Sequence, residues 1–317
     1  MSTSRLGIGL AAVGRPAYIT GHRSADLGDG RTPEQLEART HALLDAAYTS
    51  GIRYVDVARS YGRAEEFAAH WLDERGLSDV EVGSKWGYRY VGDWDMAATV
   101  HEVKDHSLAA FREQWPATRA LLGQHLGRYL VHSATLDTGV LADAALHREL
   151  AALRERGVRV GISTSGPRQA DAVRAALDVM VDGEPLFTAF QVTWNLLEPS
   201  AGRALAEAAD RGAQVVVKES VANGRLAPGG SDGTAGVDLV AALAAAQGLS
   251  PDQLAVAAAL AQPWAWRVLS GAATPAQLAS HVAAADVALD PGLLEAAMAA
   301  AEDSSAYWAA RSARPWT

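Results

Sequence analysis

Cysteine is absent from the 317 residues. That excludes a disulfide framework, a thiolate nucleophile and a Cys-ligated metal, and it fits a reducing, cytoplasmic setting. No apolar run reaches the roughly 18–20 residues that span a bilayer. The Ala-rich stretches Ala241–Ala261 and Ala283–Ala301 are interrupted by Gln247, Pro251, Asp252 and Glu295, and read as helices of a water-soluble chain. The opening Met-Ser-Thr-Ser-Arg-Leu-Gly lacks the apolar core of a signal peptide. Positive charge is in deficit: 28 Lys+Arg against 37 Asp+Glu give a net charge of −9. A chain so charged does not suit nucleic acid or an anionic membrane surface as its partner. No G-x-G-x-x-G follows a strand-like run and opens a helix, since Gly7-Ile8-Gly9 lies inside one. Helical histidines such as His41, His70 and His147 lack metal-ligand spacing, so no metal is expected.

What is present is a regular alternation. Short, nearly continuous apolar runs occur at Leu6–Leu10, Arg53–Asp56, Val80–Lys85, Tyr129–His132, Val158–Ser163, Phe187–Gln191, Gln214–Lys218 and Trp266–Ser270. Such runs, without polar alternation, read as strands buried on both faces. Amphipathic helical patterns lie between them. Leu36, Thr40, Leu43, Leu44 and Ala47 form one stripe, Leu146, Leu150 and Leu153 another, and Ser250-Pro251 opens a helix running to Ala261. Eight strand–helix units predict an α/β fold, a (β/α)₈ TIM barrel occupying residues 1–317 as a single domain. The competing doubly wound sheet lacks its phosphate-binding fingerprint. Pro228–Gly236 reads as a loop, not a domain boundary.

In such a barrel the active site lies at the C-terminal ends of the strands. The second strand ends in Asp56, the third in Lys85 and the fourth in His132, while Tyr61-Gly62 falls in the loop after the second. Four ionisable groups thus converge on one rim. A tyrosine hydroxyl, with a solution pKa near 10, exchanges protons poorly at neutral pH unless a nearby ammonium stabilises the tyrosinate. Lys85 supplies that ammonium, Asp56 would orient it, and a neutral His132 could hydrogen-bond a substrate oxygen. This set suits protonation of a carbonyl oxygen whose carbon receives a hydride, which only a cofactor can carry.

The motifs Asp56-Val57-Ala58-Arg59-Ser60-Tyr61-Gly62, Gly83-Ser84-Lys85 and Tyr129-Leu130-Val131-His132 resemble those of the aldo-keto reductases. The likeness continues through Gly161-Ile162-Ser163, Phe190-Gln191, Lys218 to Leu226 and Gly271-Ala272-Ala273-Thr274, essentially the whole chain. The resemblance implies that Tyr61 is the general acid/base, that Lys85 lowers its pKa, that Asp56 pairs with Lys85, and that His132 orients the carbonyl. It implies Ser163 and Gln191 at the nicotinamide carboxamide. Ser220, Gly224, Arg225 and Leu226 would lie along the pyrophosphate, and Gly271, Ala273 and Gln277 at the adenosine end. NADPH is the cofactor so implied, with NADH admitted. The chain departs from the family pattern in three places. Ser163-Thr164 stands where the family has Ser-Asn, and Lys218-Glu219 where an aromatic often stacks on nicotinamide. No cation occurs from Ser270 to His281, where Lys or Arg commonly meets a 2′-phosphate; Lys218, Arg225 and Arg267 are the substitutes.

Trp86, Tyr88, Tyr90 and Trp94 follow Lys85 closely and are expected as substrate-pocket walls, unless they form an aromatic cluster pinning that loop. The tail Tyr307-Trp308…Pro315-Trp316 either crosses the barrel mouth or docks on a helix. The expected activity is NAD(P)H-dependent reduction of an aldehyde or ketone, with a small-molecule carbonyl as partner. Its rivals are a Schiff-base aldolase or isomerase using Lys85, and a slow redox-sensing regulatory subunit.

Overall fold

The structure, a computed structural model, describes residues 3–19, 26–28 and 30–316. Eight parallel strands close a barrel: β1 (Leu6–Gly9), β2 (Tyr54–Asp56), β3 (Glu81–Trp86), β4 (Leu126–Ala134), β5 (Arg159–Thr164), β6 (Ala189–Thr193), β7 (Gln214–Lys218) and β8 (Ala265–Ser270). Each pairs with its sequence neighbours, and β1 closes the ring on β8. This is the (β/α)₈ fold expected from the alternation. Strand ends agree within about two residues except at β4, which starts three residues before Tyr129. Arg128 hid that start, because a charged side chain inside a barrel contradicts the apolar pattern that marks a buried strand.

The helical layer comprises α1 (Pro33–Thr49), α2 (Ala64–Arg75), α3 (Leu108–Leu122), α4 (Ala144–Ala151), α5 (Gln169–Leu177), α6 (Gly202–Asp210), α7 (Ala235–Ala246), α8 (Pro251–Leu260), α9 (Pro275–Ala284), α10 (Pro291–Met298) and α11 (Ser304–Ser312). Their starts follow capping chemistry. Thr32 with Gln35 and Ser250 with Gln253 form capping boxes in front of N1 prolines, and Thr274 accepts the Gln277 N–H at the head of α9. The stripes Leu36/Thr40/Leu43/Leu44/Ala47 and Leu146/Leu150 are buried as their spacing predicts.

The N-terminal end of the barrel is plugged. Tyr54, Arg128 and Trp266 stack there, with the Arg128 guanidinium 4.8 Å from the Tyr54 ring centre and 3.8 Å from that of Trp266. A Cβ on Gly83 would come within 2.2 Å of the Tyr54 hydroxyl, so the glycine beside Ser84-Lys85 answers to packing. The C-terminal end is open. A hairpin of Tyr88–Tyr90 and Glu102–Lys104 follows β3 beside it, and α11 contributes Arg311 and Ser312 to its wall. Among the described residues no helix is long and apolar enough to cross a membrane.

Candidate active site

The barrel's upper interior is organised by one buried ion pair. Asp56 ends β2 and Lys85 lies one residue before the end of β3, and both point inward. The Lys85 Nζ donates to Asp56 Oδ2 at 2.6 Å and to the Val57 carbonyl at 2.9 Å, with no solvent exposure. Gln191 of β6 donates to the other carboxylate oxygen at 2.6 Å. With both its oxygens taken, the carboxylate holds Lys85 in place, 4.9 Å from the centre of the Tyr61 ring.

Tyr61 is presented by a turn that needs Gly62. That glycine has φ of 60°, and a Cβ there would come within 2.5 Å of the Gly14 carbonyl and 2.7 Å of Arg15 Cβ. The turn therefore packs directly on the loop after β1. His132 sits edge-on to Tyr61, ring centres 5.5 Å apart. Its Nδ1 is 3.4 Å from Ser60 Oγ. Beyond it the β4–β5 pairing shifts register, and Ser133 takes a positive φ of 52°. The Ser133 N–H is held by Ser163 Oγ at 2.8 Å.

Burial pushes the His132 imidazole well below its ordinary pKa, with Lys85, Lys218 and Arg15 acting the same way, so the ring is neutral at physiological pH. Burial pushes the Tyr61 hydroxyl well above its ordinary value, and Asp56 adds to this while Arg15 opposes it. This differs from the expectation that Lys85 brings Tyr61 down. The reason is burial: the cost of desolvating a tyrosinate, with Asp56 beside it, outweighs the pull of the nearby cations. Lys85 itself is lowered by burial against the opposing pull of Asp56.

A cavity of about 540 Å³ runs across this rim, lined near one end by Asp56, Tyr61, Tyr88, His132 and Gln191. It continues past Ser220 and Gly224 to Gly271, Ala273 and Gln277 at the head of α9. Six of the nine residues expected at a cofactor, Gln191 among them, thus share one groove with Asp56, Tyr61 and His132, while Lys85 is fully buried and outside the lining. The remaining three do not. Ser163 is fully buried behind Ser133, and Ser165 takes its place in the wall. Arg225 turns away, its guanidinium bonded to Asp232, Thr234 and Glu302. Leu226 is a fully buried core residue.

The aromatic residues divide as well. Tyr88 lines the cavity, its ring 5.0 Å from His132. Trp86 is not a wall. Successive strand residues point to opposite faces, so with Lys85 inward Trp86 faces the helices, fully buried 5.2 Å from the Phe111 ring. Trp94 is not a wall either; its indole donates to the Arg31 carbonyl at 2.7 Å and packs with Leu27, Leu36 and Phe67, pinning the loop. Trp316 lines the mouth and stacks on His101 at 4.5 Å, so the tail crosses the opening.

Several wall residues had no sequence motif to mark them: Arg15 and Tyr18 after β1, Glu102 on the hairpin, and Arg311 on α11. Lys218 also lines the cavity; burial brings its amine down to about 8. The adjacent Glu219 would be raised by burial, but Arg311 and Lys218 hold it down to about 2. At the far end Asp252 and His281 line the wall, with Ser270 Oγ 2.8 Å from His281 Nδ1.

A nicotinamide dinucleotide fits the donors and space along this groove. Asn223 Oδ1 is buried without a partner beside the wall formed by Ser220 and Gly224, and a Cβ on Gly271 would meet nothing within 4 Å.

The sequence profile of the aldo/keto reductase family matches residues 6–299. The chain belongs to this family. Aldo/keto reductases of known structure share its fold throughout. Aldo-keto reductase AKR11C1 from Bacillus halodurans, described as a holo form, superposes with a TM-score of 0.69 at 20% identity, covering 94% of this chain and 92% of that one. Glycerol dehydrogenase AKR11B4 from Gluconobacter oxydans gives a TM-score of 0.71 at 21% identity, covering 93% and 90%. No curated protein matches the sequence. Membership makes the chain an oxidoreductase of a family that reduces carbonyls with NAD(P)H.

Proposed function

We propose that this aldo/keto reductase family member reduces a small aldehyde or ketone to an alcohol, with Tyr61 as the proton donor, in the cytoplasm. The observation that carries the reading is the position of Tyr61 on the cavity wall, between the buried Lys85 and the neutral His132. NAD(P)H, when bound, would supply the hydride that the carbonyl carbon needs. As negative charge develops on the carbonyl oxygen, the Tyr61 O–H transfers its proton there, forming the alcohol. Lys85 stabilises the tyrosinate left behind, Asp56 and Gln191 keep the ammonium in place, and His132 holds the carbonyl oxygen toward Tyr61. Tyr88, beside His132, contacts the substrate.

Ser220, Gly224, Gly271, Ala273 and Gln277 are the residues that would hold the dinucleotide, with Gln191 near its carboxamide. NADPH is the family's habitual form. Of the three cations considered for a 2′-phosphate, Arg225 is engaged by carboxylates, Arg267 stacks on Trp266 near the barrel's plugged end, and Lys218 is paired with Glu219 at the tyrosine end of the groove, away from the adenosine end. A Schiff base on Lys85 is disfavoured, because that amine is wholly buried and bonded to Asp56 and Val57. Tryptophan quenching on titration with NADPH and NADH, followed by turnover of an aldehyde panel and of glycerol in reverse, tests the proposal. Saturable quenching with turnover near 1 per second or above is expected; no saturation by either nucleotide at millimolar levels overturns it. Turnover far below that range would favour a regulatory subunit.

A further inference from the structure

Tyr61 is faced by charged and titratable groups from every element around it. Asp56 comes from β2, Lys85 from β3 and His132 from β4. Lys218, Glu219 and Arg311 line the same cavity from the end of β7 and from α11, Arg15 and Tyr18 from the loop after β1, and Tyr88 and Glu102 from the hairpin. Most of these charges cancel close to their origin. Lys85 is bonded to Asp56, and Glu219 is held between Arg311 and Lys218.

The Arg15–Glu102 pair reaches the tyrosine as well. The Arg15 guanidinium carbon lies 5.2 Å from the Tyr61 ring centre. Its Nη1 donates to the Ser60 carbonyl at 2.8 Å, one residue before Tyr61, and to Glu102 Oε1 at 2.6 Å. Arg15 is 1% exposed, so water screens this charge poorly. Gly62 makes the approach feasible, since a side chain there would strike Arg15 Cβ.

We propose that Arg15 and Glu102 are positioning residues for the reaction, their ion pair setting the field at the Tyr61 hydroxyl and hence the pH range in which the proton donor works. The inference rests on Tyr61 being that donor. A tyrosinate is stabilised by Arg15 and opposed by Glu102, so removing each charge acts in the opposite sense. At about 5 Å, with an effective dielectric near 20 and partial cancellation within the pair, each removal is worth on the order of one pH unit.

The test uses the full chain with saturating nicotinamide cofactor and two readouts. One is tyrosinate absorbance against pH, taken as the difference between each protein and its Tyr61→Phe counterpart. The other is the pH profile of carbonyl reduction. Glu102→Gln, which keeps the hydrogen bond, should lower both midpoints by about one unit, and Arg15→Gln should raise them. Arg15→Lys should restore the position seen with arginine. If Arg15→Gln does not fold, the downward shift in Glu102→Gln decides alone. Midpoints that stay put, or that move the same way in both variants, would overturn the proposal. Were Tyr61 not the donor, the absorbance midpoints would still separate while the reduction profiles would not follow them, which distinguishes the two failures.

Discussion

The two ends of this barrel bury nearly the same side chains. At the plugged end a tyrosine, Tyr54, lies against Arg128, which is paired with Glu81 at 2.7 Å and bonded to Gln214 at 2.8 Å. At the open end a tyrosine, Tyr61, lies against Lys85 and Arg15, each paired with a carboxylate, with Gln191 alongside. Burial pushes both tyrosine hydroxyls up. The ingredients of acid–base chemistry are therefore present twice, and only one copy borders a cavity. Access and the direction of the side chains, more than the identity of the residues, separate a catalytic cluster from a structural one.

The sharpest way to break that comparison is to remove the same atom from each end. Tyr61→Phe should lower the rate of reduction by about 10²–10⁴, the usual contribution of a general acid, with cofactor affinity by tryptophan quenching unchanged. Tyr54→Phe removes a hydroxyl that has no partner, so turnover should stay within about twofold and stability within about 1 kcal/mol. A Tyr61→Phe protein that kept more than a tenth of its turnover would return Tyr61 to the structural class.

The next effect concerns neighbours on one strand and its hairpin. Trp86→Ala should cost about 3–5 kcal/mol of stability, the usual loss for emptying a buried indole site, read as a fall in thermal midpoint. Tyr88→Ala should leave the midpoint nearly unchanged and raise KM for the carbonyl. If Trp86→Ala raised KM without loss of stability, the indole would belong to the pocket after all.

That pair also locates the limit of what the sequence discloses. The barrel was legible because strands covered on both faces become continuous apolar runs, and Asp56, Lys85, His132 and Tyr61 were legible because each sits at or just beyond a strand end. Trp86 misled because its neighbourhood in the chain resembles a pocket wall, whereas strand parity turns it outward. Ser163 and Arg225 likewise sit in matching motifs and point elsewhere. Arg15, Glu102 and Arg311 were invisible for another reason. They come from three distant stretches of chain and share no spacing, so only the folded rim assembles them.

A smaller effect separates the open end's own ion pairs. Glu219 ties α11 to β7 through Arg311 and is held down to about 2. A carboxylate depressed in the fold stabilises it above the unfolded value of about 4.5, and this contribution disappears as pH falls toward 2. Glu219→Gln should therefore lower stability by about 2–3 kcal/mol at pH 7, with the gap from the parent protein narrowing between pH 5 and 3. Thermal midpoints measured across that range give the answer; parallel curves would mean that Glu219 is not held by charge.

The smallest predicted effect falls on the element that closes the mouth. Trp316 lies 4.7 Å from the Arg15 guanidinium carbon and 6.1 Å from the Tyr18 ring, only partly buried. The plugged end has an equivalent contact, Arg128 over Trp266, whose ring is likewise partly buried but packs edge-on against Tyr54 and does not line the cavity. A cation–aromatic contact is worth about 0.5–1 kcal/mol at an exposed site and about 2 or more when desolvated. Trp316→Ala should accordingly leave the thermal midpoint within a degree or two and raise KM for the carbonyl by roughly fivefold, about 1 kcal/mol. Trp266→Ala should do the reverse, losing stability and leaving KM alone. If the two substitutions gave the same pattern, the tail would be part of the scaffold and the open end would be defined without it.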